Sequence, residues 1–451
     1  MTIPYRRIHI IGAGGAGMSA LAKVLVGRGH QVSGSDLRGG PALDALADIG
    51  MEVATGHNPS MAVNADLVVA SSAVPEYDEE LESAREAGIP TWRRPQLLAA
   101  LTSTIRTIGA TGTHGKTTTT ALLISALHHR GDDPSFILGG EIAGLGTNGH
   151  VGETPLLVLE SDEAFRTFEG LELNGLVVTN VEPEHIDHFG SEAALADAFA
   201  EVAAGVDGPV VSCIDDPGSA RVAERAETLT YGFGEGAVWR LSDYRRADQS
   251  STFMLTGPQA SIEVGLALPG RHVALNAAGA LSLLAELGYP LEELVPGVGH
   301  FRGVGRRWEH RGTVEGVMLV DDYAHHPTEV KATLDAAEGV VPGRVWAVFQ
   351  PHLYSRTEMF HEEFGQALAA ADKVIVTDVY GAREIPVPGV TGELIVDAAF
   401  EAGADVTYVP HRSDLADYLL PLVQDGDLVL SMGAGDITLL PGELAVRLGE
   451  R

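Results

Sequence analysis

Residues 111–118 read Thr-Gly-Thr-His-Gly-Lys-Thr-Thr and directly follow an apolar run, 107–109, that is typical of a strand. In loops of this kind backbone N–H groups cradle phosphates, a lysine reaches the β- and γ-phosphates, and the next hydroxyl can hold Mg²⁺. Lys116 and Thr117 have these residue types at this spacing, although Ala110 stands where the strict pattern has its first glycine. The segment therefore predicts a nucleoside triphosphate site, and a glycine-rich turn without a ligand is the alternative.

The use of lysine supports the phosphate site. Only four of the 30 basic residues are lysines, and one of these four is Lys116. A compact ammonium fits among phosphate oxygens where a planar guanidinium would not. A lysine at this position in an arginine-rich chain therefore favours phosphate binding over a plain turn.

An acid and an imidazole follow two further strand-like runs. Glu160 ends the run 156–159, and His185 comes 25 residues later, just beyond the run 175–179. We expect both side chains at the carboxyl ends of neighbouring parallel strands, where such sheets bind ligands. A carboxylate and an imidazole there suit Mg²⁺ shared with the phosphates. Taken alone, a glutamate in the position of Glu160 at a strand end is usually just solvated, and the cluster 182–188 is as typical of a helix start as of a metal site.

A second glycine loop lies near the N-terminus, between a strand-like run at 8–11 and a helical pattern. Its glycines are Gly12, Gly14, Gly15 and Gly17. Glycines let the backbone approach an anion, and the following helix N-terminus offers free N–H groups. Asp36 follows 19 residues after Gly17, where a ribose-binding acid would lie. The pattern predicts a nucleotide or sugar-nucleotide site without saying which nucleotide, and a tight turn is the alternative.

The elements that must position these loops alternate between strands and helices. Apolar runs at 66–70, 156–159, 175–179 and 209–212 predict parallel α/β sheets, and 227–268 is richer in β patterns. A helix is predicted over about 274–287. Beyond a joint at 303–308 the α/β rhythm returns, with strands predicted at 318–320, 344–349, 373–376 and 428–430. The length of 451 residues predicts about three domains.

Composition narrows the class of protein. A net charge of −32 disfavours nucleic acid as a partner, since an acidic surface repels phosphate backbones. The single cysteine, Cys213, excludes an internal disulfide and fits a reducing compartment, and it is typical of a small core residue. We find no run of about 18 apolar residues and no convincing export signal. These features predict a cytoplasmic protein that does not span a membrane.

The motifs together resemble those of the Mur ligases over nearly the whole chain. They are, in order, GAGGAGMSALA, VSGSD, GTHGKTTTT, LESDEAF, TNVEPEHIDHF, LPGRHVALNAAGAL, FRGVGRRWE, DDYAHHPTEV, FQPHLYSRT and GAGDI. The resemblance implies a Rossmann-like N-terminal domain that binds a UDP-sugar (1–104), a P-loop-type central ATPase domain (105–309), and a Rossmann-like C-terminal domain that helps to hold the amino acid (310–451).

The resemblance also implies a reaction. An enzyme of this family would use ATP and Mg²⁺, with Mn²⁺ as a substitute, to join the lactyl carboxylate of UDP-N-acetylmuramate to L-alanine through an acyl phosphate. ADP and phosphate would be released, and the product would be a peptidoglycan precursor. We expect a monomer or a homodimer with small-molecule substrates and neither nucleic-acid nor membrane partners.

Individual residues match functional positions of the family. Lys116, Glu160 and His185 are implied to be catalytic, and Thr117, Glu160 and His185 to be metal ligands. The implied ATP-binding residues are Gly112, Thr113, His114, Gly115, Lys116, Thr117, Thr118, Asn276, Arg307 and Asp322. The implied UDP-sugar residues are Gly12, Gly14, Gly15, Gly17, Asp36, Ser71, Ser72 and Arg94. The implied reaction-centre residues of the third domain are His325, His326, His352, Ser355 and Arg356.

The sequence departs from the family at three places. Val273 stands where the family usually has asparagine, Leu353 where some relatives have a basic residue, and Ala164-Phe165 where relatives more often have Ser-Asp. The pair His325-His326 could otherwise suggest zinc.

Three other functions compete with this reading. A sister ligase would attach a whole peptide to the same sugar nucleotide. An oxidoreductase would use the first glycine loop for NAD and leave the phosphate loop unexplained. A regulatory protein would bind ATP without turnover.

Overall fold

The computed structural model describes residues 3–163, 166–183, 189–258, 260–382 and 384–450. The strands are β1 Arg7–Ile11, β2 Gln31–Asp36, β3 Glu52–Thr55, β4 Leu67–Ala70, β5 Thr91–Arg93, β6 Arg106–Thr111, β7 Pro134–Ile137, β8 Gly149–His150, β9 Thr154–Glu160, β10 Leu176–Val178, β11 Val210–Cys213, β12 Leu229–Gly232, β13 Trp239–Ala247, β14 Ser250–Thr256, β15 Ser261–Leu266, β16 Glu309–Val314, β17 Val317–Asp322, β18 Val345–Phe349, β19 Lys373–Val376, β20 Val406–Tyr408 and β21 Leu428–Met432. The helices are α1 Ala16–Gly27, α2 Pro41–Asp48, α3 Pro59–Val63, α4 Glu79–Glu86, α5 Arg94–Thr102, α6 Lys116–Arg130, α7 Glu192–Ala204, α8 Pro217–Ala226, α9 Arg271–Glu286, α10 Leu291–His300, α11 Pro327–Ala337, α12 Tyr354–Leu368, α13 Glu393–Glu401, α14 Leu415–Leu419 and α15 Leu440–Gly449.

The first sheet has five parallel strands in the order β3-β2-β1-β4-β5. Its central strand is a run of apolar residues with Ile8 and Ile10 fully buried, as a strand covered on both faces requires. The chain reverses its direction of winding between β1 and β4, so a crevice opens at the carboxyl ends of these strands. The first glycine loop leaves β1 at this crevice and leads into α1.

The second sheet has ten strands in the order β15-β14-β13-β12-β11-β10-β6-β9-β7-β8. Six neighbouring strands in the middle of this order, β12-β11-β10-β6-β9-β7, are parallel, and β6 lies between β9 and β10. The second glycine loop therefore leaves a strand in the middle of the sheet and enters α6. Gly131 ends this helix in the left-handed conformation at φ 96°. The β-rich prediction for 227–268 is confirmed by β12 to β15.

The third sheet has six strands in the order β16-β17-β21-β18-β19-β20. The edge strand β16 is antiparallel to β17, and the other strands are parallel. The predicted α/β class with three sheet-centred domains is confirmed.

The chain divides into two compact units. Unit 1 contains the first two sheets and runs to Tyr244, with Thr252–Leu266 and Ala274–Arg302 added. Unit 2 contains the third sheet together with Arg245–Ser251 and Ala267–Val273. The domain boundaries predicted at 104/105 and 309/310 stay predictions.

Within unit 1, α1 packs directly on β8 of the second sheet. Lys23 Nζ donates to Asn148 Oδ1 at 2.8 Å, and Asn148 Nδ2 donates to the carbonyl of Ala16 at 2.8 Å. A Cβ on Gly149 would lie 2.4 Å from the carbonyl oxygen of Ala20, so only glycine permits this approach. The helix that follows the first glycine loop is thus fastened to the sheet that carries the second.

Among the helices of the described residues, we find none that combines the length and apolar character needed to cross a membrane.

Candidate active site

The phosphate loop is shaped by two glycines with positive φ. Gly112 has φ 132° and Gly115 has φ 80°, conformations that residues with a Cβ rarely adopt. A Cβ on Gly112 would lie 2.1 Å from Thr179 Oγ1, and one on Gly115 would lie 2.7 Å from Asn276 Oδ1. The loop is therefore a narrow cradle of backbone that side chains would fill, as phosphate binding needs.

Lys116, the first residue of α6, lies across this cradle. Its Nζ donates to the carbonyl oxygens of Gly112 at 2.7 Å and Thr113 at 3.1 Å. It also lies 2.8 Å and 3.1 Å from the two carboxylate oxygens of Glu163, and 3.8 Å from Asp162. The ammonium is thus held over the loop, within reach of phosphates bound to it.

Carboxyl groups from two acids, Asp162 and Glu163, lie within 4 Å of the Lys116 ammonium, and the pKa values of the group reflect this. Burial lowers the pKa of Lys116, but the charges of Glu163, Asp162 and Glu160 raise it to a net value above the usual one. Burial raises the pKa of Glu163 to about 7, although Lys116 opposes this shift. The group therefore contains a carboxyl that exchanges its proton near neutral pH.

Thr117 and Glu160 form the second polar pair of the loop. The Thr117 hydroxyl donates to Glu160 Oε1 at 2.9 Å, and the other oxygen, Oε2, accepts the N–H of Gly139 at 2.8 Å. A hydroxyl and a carboxylate side by side at a phosphate loop are the oxygen ligands that Mg²⁺ prefers. The described residues fit the ion, and His185, the third predicted ligand, lies outside them.

The residues that follow β10, the neighbour of β6 in the sheet, fix the tip of the loop. Asn180 Oδ1 accepts the N–H of His114 at 2.7 Å, and the hydroxyl of Thr179 donates to the carbonyl of His114 at 2.6 Å. Thr113 and Glu182 exchange a further pair of hydrogen bonds, at 2.9 and 3.2 Å. Thr118 lies half-buried in the first turn of α6. Thr113 and His114 of the loop are thus tied to the residues that follow β10.

Asn276 is the predicted ATP residue of α9, and it lies beside the loop. Its side chain is buried and faces Gly115, as the short distance above shows. Val273, where the family usually has asparagine, is buried and has no polar side-chain group.

The first glycine loop lies against the end of β2. The N–H of Gly14 donates to Asp36 Oδ2 at 2.9 Å. A Cβ on Gly14 would also lie only 2.9 Å from that oxygen, so a side chain here would press against Asp36. Gly12 has φ 80°, and a Cβ there would lie 3.0 Å from Ser71 Cβ. A cavity of ≈ 340 Å³ opens beside Asp36 and is lined by Gly14, Gly15 and 38–43. Asp36, Ser71 and the glycines are thus brought together as predicted.

Arg94 connects the two loops within unit 1. Its guanidinium carbon would lie 3.0 Å from a Cβ on Gly17, and its Nη1 lies 3.8 Å from Asp162 Oδ2. Asp162 in turn lies 3.8 Å from Lys116 Nζ. The buried Nε of Arg94 has no hydrogen-bond partner among the described residues. Ser72 is half-buried beside Ser71 in the turn after β4.

In unit 2, Arg307 and Asp322 lie close together. Arg307 Nη1 is 3.2 Å from Glu329 Oε1, and its guanidinium lies over the ring of Tyr323 at 5.0 Å. Asp322 accepts the N–H groups of Trp308 and Ala324, each at 2.8 Å. Burial raises the pKa of Asp322 to about 6 although Arg307 opposes the shift.

The predicted reaction-centre residues of unit 2 gather at the carboxyl ends of β17 and β18. The rings of His325 and His352 have centroids 6.1 Å apart, and Arg356 Nη1 lies 3.5 Å from His352 Nδ1. Ser355 donates its N–H to Glu384 at 3.0 Å, and its hydroxyl bonds the same carboxylate. His326 caps α11 by accepting the N–H of Thr328. Leu353, where some relatives carry a basic residue, has φ 72° at the cap of α12.

Sequence reasoning missed four acids that contact predicted residues. Asp162 and Glu163 lie in the motif LESDEAF next to Glu160, and their position in that motif was the available signal. Glu329 pairs with Arg307 in the motif DDYAHHPTEV, and its spacing from His325 fits one helical turn. Glu384 lies in no quoted motif and carried no signal.

Comparison with known proteins follows the same division of the chain. Sequence models of the "Mur ligase family, catalytic domain", the "Mur ligase middle domain" and the "Mur ligase, glutamate ligase domain" match residues 7–106, 110–284 and 306–435. A UDP-N-acetylmuramate–L-alanine ligase of Mycobacteroides abscessus is 44% identical over 476 residues, covering 99% of this chain and 96% of that protein. The ligase of the same name from Mycolicibacterium smegmatis is also 44% identical, over 98% and 95% of the two chains.

Solved structures agree with this result. The UDP-N-acetylmuramate-alanine ligase of Thermotoga maritima superposes with a TM-score of 0.86 at 27% identity, covering 98% of this chain and 99% of that chain. A murein peptide ligase of Psychrobacter arcticus has a TM-score of 0.71 at 22% identity, over 99% of both chains, and so shares the fold. Three matched domains, and relatives 44% identical along the whole length, show that this chain belongs to the Mur ligase family.

Proposed function

We propose that this chain is an ATP-dependent ligase that forms an amide between the lactyl carboxylate of UDP-N-acetylmuramate and L-alanine. The observation that carries the proposal is the presence of two glycine loops in unit 1, which are joined through Arg94, Asp162 and Lys116 and which we propose to bind anions. A carboxylate on a nucleotide-linked sugar and the γ-phosphate of ATP must meet in this reaction. Two such loops in one compact body provide that arrangement, and relatives that carry this enzyme name support the choice of substrates.

The first step is a phosphoryl transfer. A lactyl carboxylate oxygen attacks the γ-phosphorus, the bond from that phosphorus to the β,γ-bridging oxygen breaks, and ADP leaves with the bond electrons. Lys116 lies where its ammonium offsets the repulsion between the two anions and the charge that develops on the phosphoryl oxygens. Mg²⁺, held by Thr117 and Glu160 with His185 as a further proposed ligand, would supply additional positive charge at the phosphates.

The second step forms the amide. The uncharged amine of L-alanine attacks the carbonyl carbon of the acyl phosphate, the carbon–oxygen bond to phosphate breaks, and inorganic phosphate leaves while the nitrogen loses a proton. We propose that His325, His326, His352, Ser355 and Arg356 hold the amino acid. Arg356 has the charge to pair with its carboxylate. Asn276, Arg307 and Asp322 are proposed to contact ATP, and Asp36, Ser71, Ser72 and Arg94 the UDP-sugar.

The proposal extends to the setting in which the enzyme works. We propose that it acts in the cytoplasm, where ATP and UDP-sugars are made, as a monomer or a homodimer. Its partners are then its small-molecule substrates, and Mn²⁺ can replace Mg²⁺.

The test is phosphate release from ATP and Mg²⁺ with UDP-N-acetylmuramate, in the presence and absence of L-alanine. We expect turnover only with both substrates, its loss on chelation of Mg²⁺, and a fall of at least about 10³-fold in Lys116→Ala. Lys331→Ala is the matched control, because Lys331 is an exposed lysine paired with Asp335 at 2.8 Å. Turnover with an alanine-led peptide but not with alanine would identify the sister ligase. NAD(H) binding without ATP turnover would identify an oxidoreductase.

A further inference from the structure

A buried polar network lies inside the first sheet, and none of the roles proposed above uses it. It consists of His9 on β1, Ser35 on β2 and Glu80 on α4, each no more than 1% exposed. Glu80 Oε2 lies 2.6 Å from His9 Nε2 and accepts the hydroxyl of Ser35 at 2.9 Å. Burying a carboxylate away from water costs free energy unless its oxygens are hydrogen-bonded and its charge is compensated. The network is therefore maintained by specific contacts and not by apolar packing.

Glu80 is ionised in this network. Burial raises its pKa, but hydrogen bonds from His9 and from the N–H of Asn58 lower it, so the net pKa lies below the usual value. Since an ionised carboxylate only accepts hydrogen bonds, His9 Nε2 must be the donor. The Asn58 N–H donates to Glu80 Oε1 at 2.8 Å, so this one side chain joins α4, β1, β2 and the loop after β3.

The network ends at the first glycine loop. The carbonyl oxygen of Ser35 accepts the N–H groups of Gly12 at 2.8 Å and Ala13 at 2.9 Å. The next residue, Asp36, accepts the N–H of Gly14. Three successive amides of the loop are therefore bonded to the two residues that end β2, and Glu80 bonds one of these two residues directly.

The fit between β2 and the loop leaves little freedom. The space at Gly14 is too small for a Cβ, and Asp36 lies at its wall. Because the amides of residues 12–14 are hydrogen-bonded to the end of β2, a displacement of that end would move the backbone of the loop with it. Hydrogen bonds to an ionised, buried carboxylate are directional and are suited to prevent such a displacement.

We propose that Glu80 and His9 form a positioning pair that holds the first glycine loop in the conformation that binds the nucleotide part of the UDP-sugar. The pair acts through Ser35 and does not touch the ligand. The inference rests on the proposed function for the identity of the ligand. The effect of the pair on the conformation of the loop does not depend on which ligand binds.

The experiment uses the full chain with Glu80→Gln, which keeps the size of the side chain but removes its charge and one acceptor. Glu79→Gln is the matched control, since Glu79 is exposed in the same first turn of α4. We expect amide hydrogen exchange at 12–14 to accelerate about tenfold and KM for UDP-N-acetylmuramate to rise about tenfold, equivalent to ~1.4 kcal/mol. We expect kcat, KM for ATP and exchange at 112–117 to stay within about twofold of wild type.

A purely structural role predicts a different result. Lower thermal stability with unchanged exchange at 12–14 and unchanged KM for the UDP-sugar would overturn the proposal, and so would equal losses for both nucleotides. Ser35→Ala, which removes a single hydroxyl, gives the same test with less risk to folding, and we expect a smaller shift in the same direction. If wild type showed no turnover with UDP-N-acetylmuramate, the proposed function would fail, while the exchange measurement would still decide whether the pair positions the loop.

Discussion

Replacing Glu163 with glutamine isolates the electrostatic cost of crowding carboxylates around Lys116. Glu163 is buried, and its pKa is raised from 4.5 to about 7. Between these two values the folded state holds a proton that the unfolded state has lost. The folded state is therefore destabilised as the pH rises through that window, because the buried carboxyl must ionise.

The size of this effect follows from the two pKa values. With a pKa of 4.5 unfolded and about 7 folded, the free energy of unfolding should fall by roughly 2–3 kcal/mol between pH 5 and pH 8 from this group alone. Glu163→Gln cannot ionise, so its loss of stability over the same interval should be smaller by that amount. The glutamine also keeps a carbonyl oxygen that can accept a hydrogen bond from Lys116.

The assay is urea unfolding of wild type and variant at both pH values. The result is the change in the free energy of unfolding between the two pH values for wild type, minus the same change for the variant. Other titrating groups cancel in this comparison when the denaturant slopes agree. Glu172→Gln, at an exposed acid of the same unit, is the control and should follow wild type. Equal pH dependence in wild type and Glu163→Gln would refute the reasoning. A wild type that gains stability with pH relative to the variant would mean that the attraction to Lys116 outweighs burial.

Three further predictions concern other parts of the chain. Gly115→Ala places a Cβ against Asn276 at positive φ, so KM for ATP should rise at least about tenfold in steady-state kinetics. Asp427→Ala removes the acceptor bonded by Arg344 at 2.7 Å, and urea unfolding should show a loss of roughly 2 kcal/mol, since Arg344 is one-third exposed. Because the pKa of Asp427 is lowered by Arg344 against the effect of burial, that loss should shrink as the pH falls below 3.8. Burial raises the pKa of Cys213 to about 12, so a thiol reagent at pH 8 should react only after unfolding, and reaction of the native protein would contradict the burial.

The sequence predicted the central strands and both glycine loops because their signals are local. The predicted strand 373–376 coincides with β19, and the predicted runs at 156–159 and 318–320 lie inside β9 and β17. Buried parallel strands are short apolar runs followed by glycine or polar residues, so they can be located from neighbouring residues alone. Short peripheral strands such as β8 and β20 lack this signal and were not predicted.

The contacts between distant segments could not be predicted from local patterns. The approach of Glu163 to Lys116 and the link from Arg94 to Asp162 join residues 47 and 68 positions apart. Nothing in the motif LESDEAF indicates which of its acids contacts Thr117 and which contacts Lys116, because that depends on how the chain turns after β9. The network of His9 and Glu80 was missed for the same reason.

The packing of α10 on α6 has a consequence for how the chain is made. Ser125 of the phosphate-loop helix donates to the carbonyl of Gly297, 172 residues later, and a Cβ on Gly297 would lie 2.6 Å from the carbonyl oxygen of Ser125. At about 5–20 residues per second, a ribosome needs roughly 9–34 s to deliver that partner. During this time the apolar face of α6 has no cover from α10. Nascent chains that end before residue 291 should therefore be held by chaperones that bind exposed apolar helices, and release should follow once residues 291–300 have left the exit tunnel.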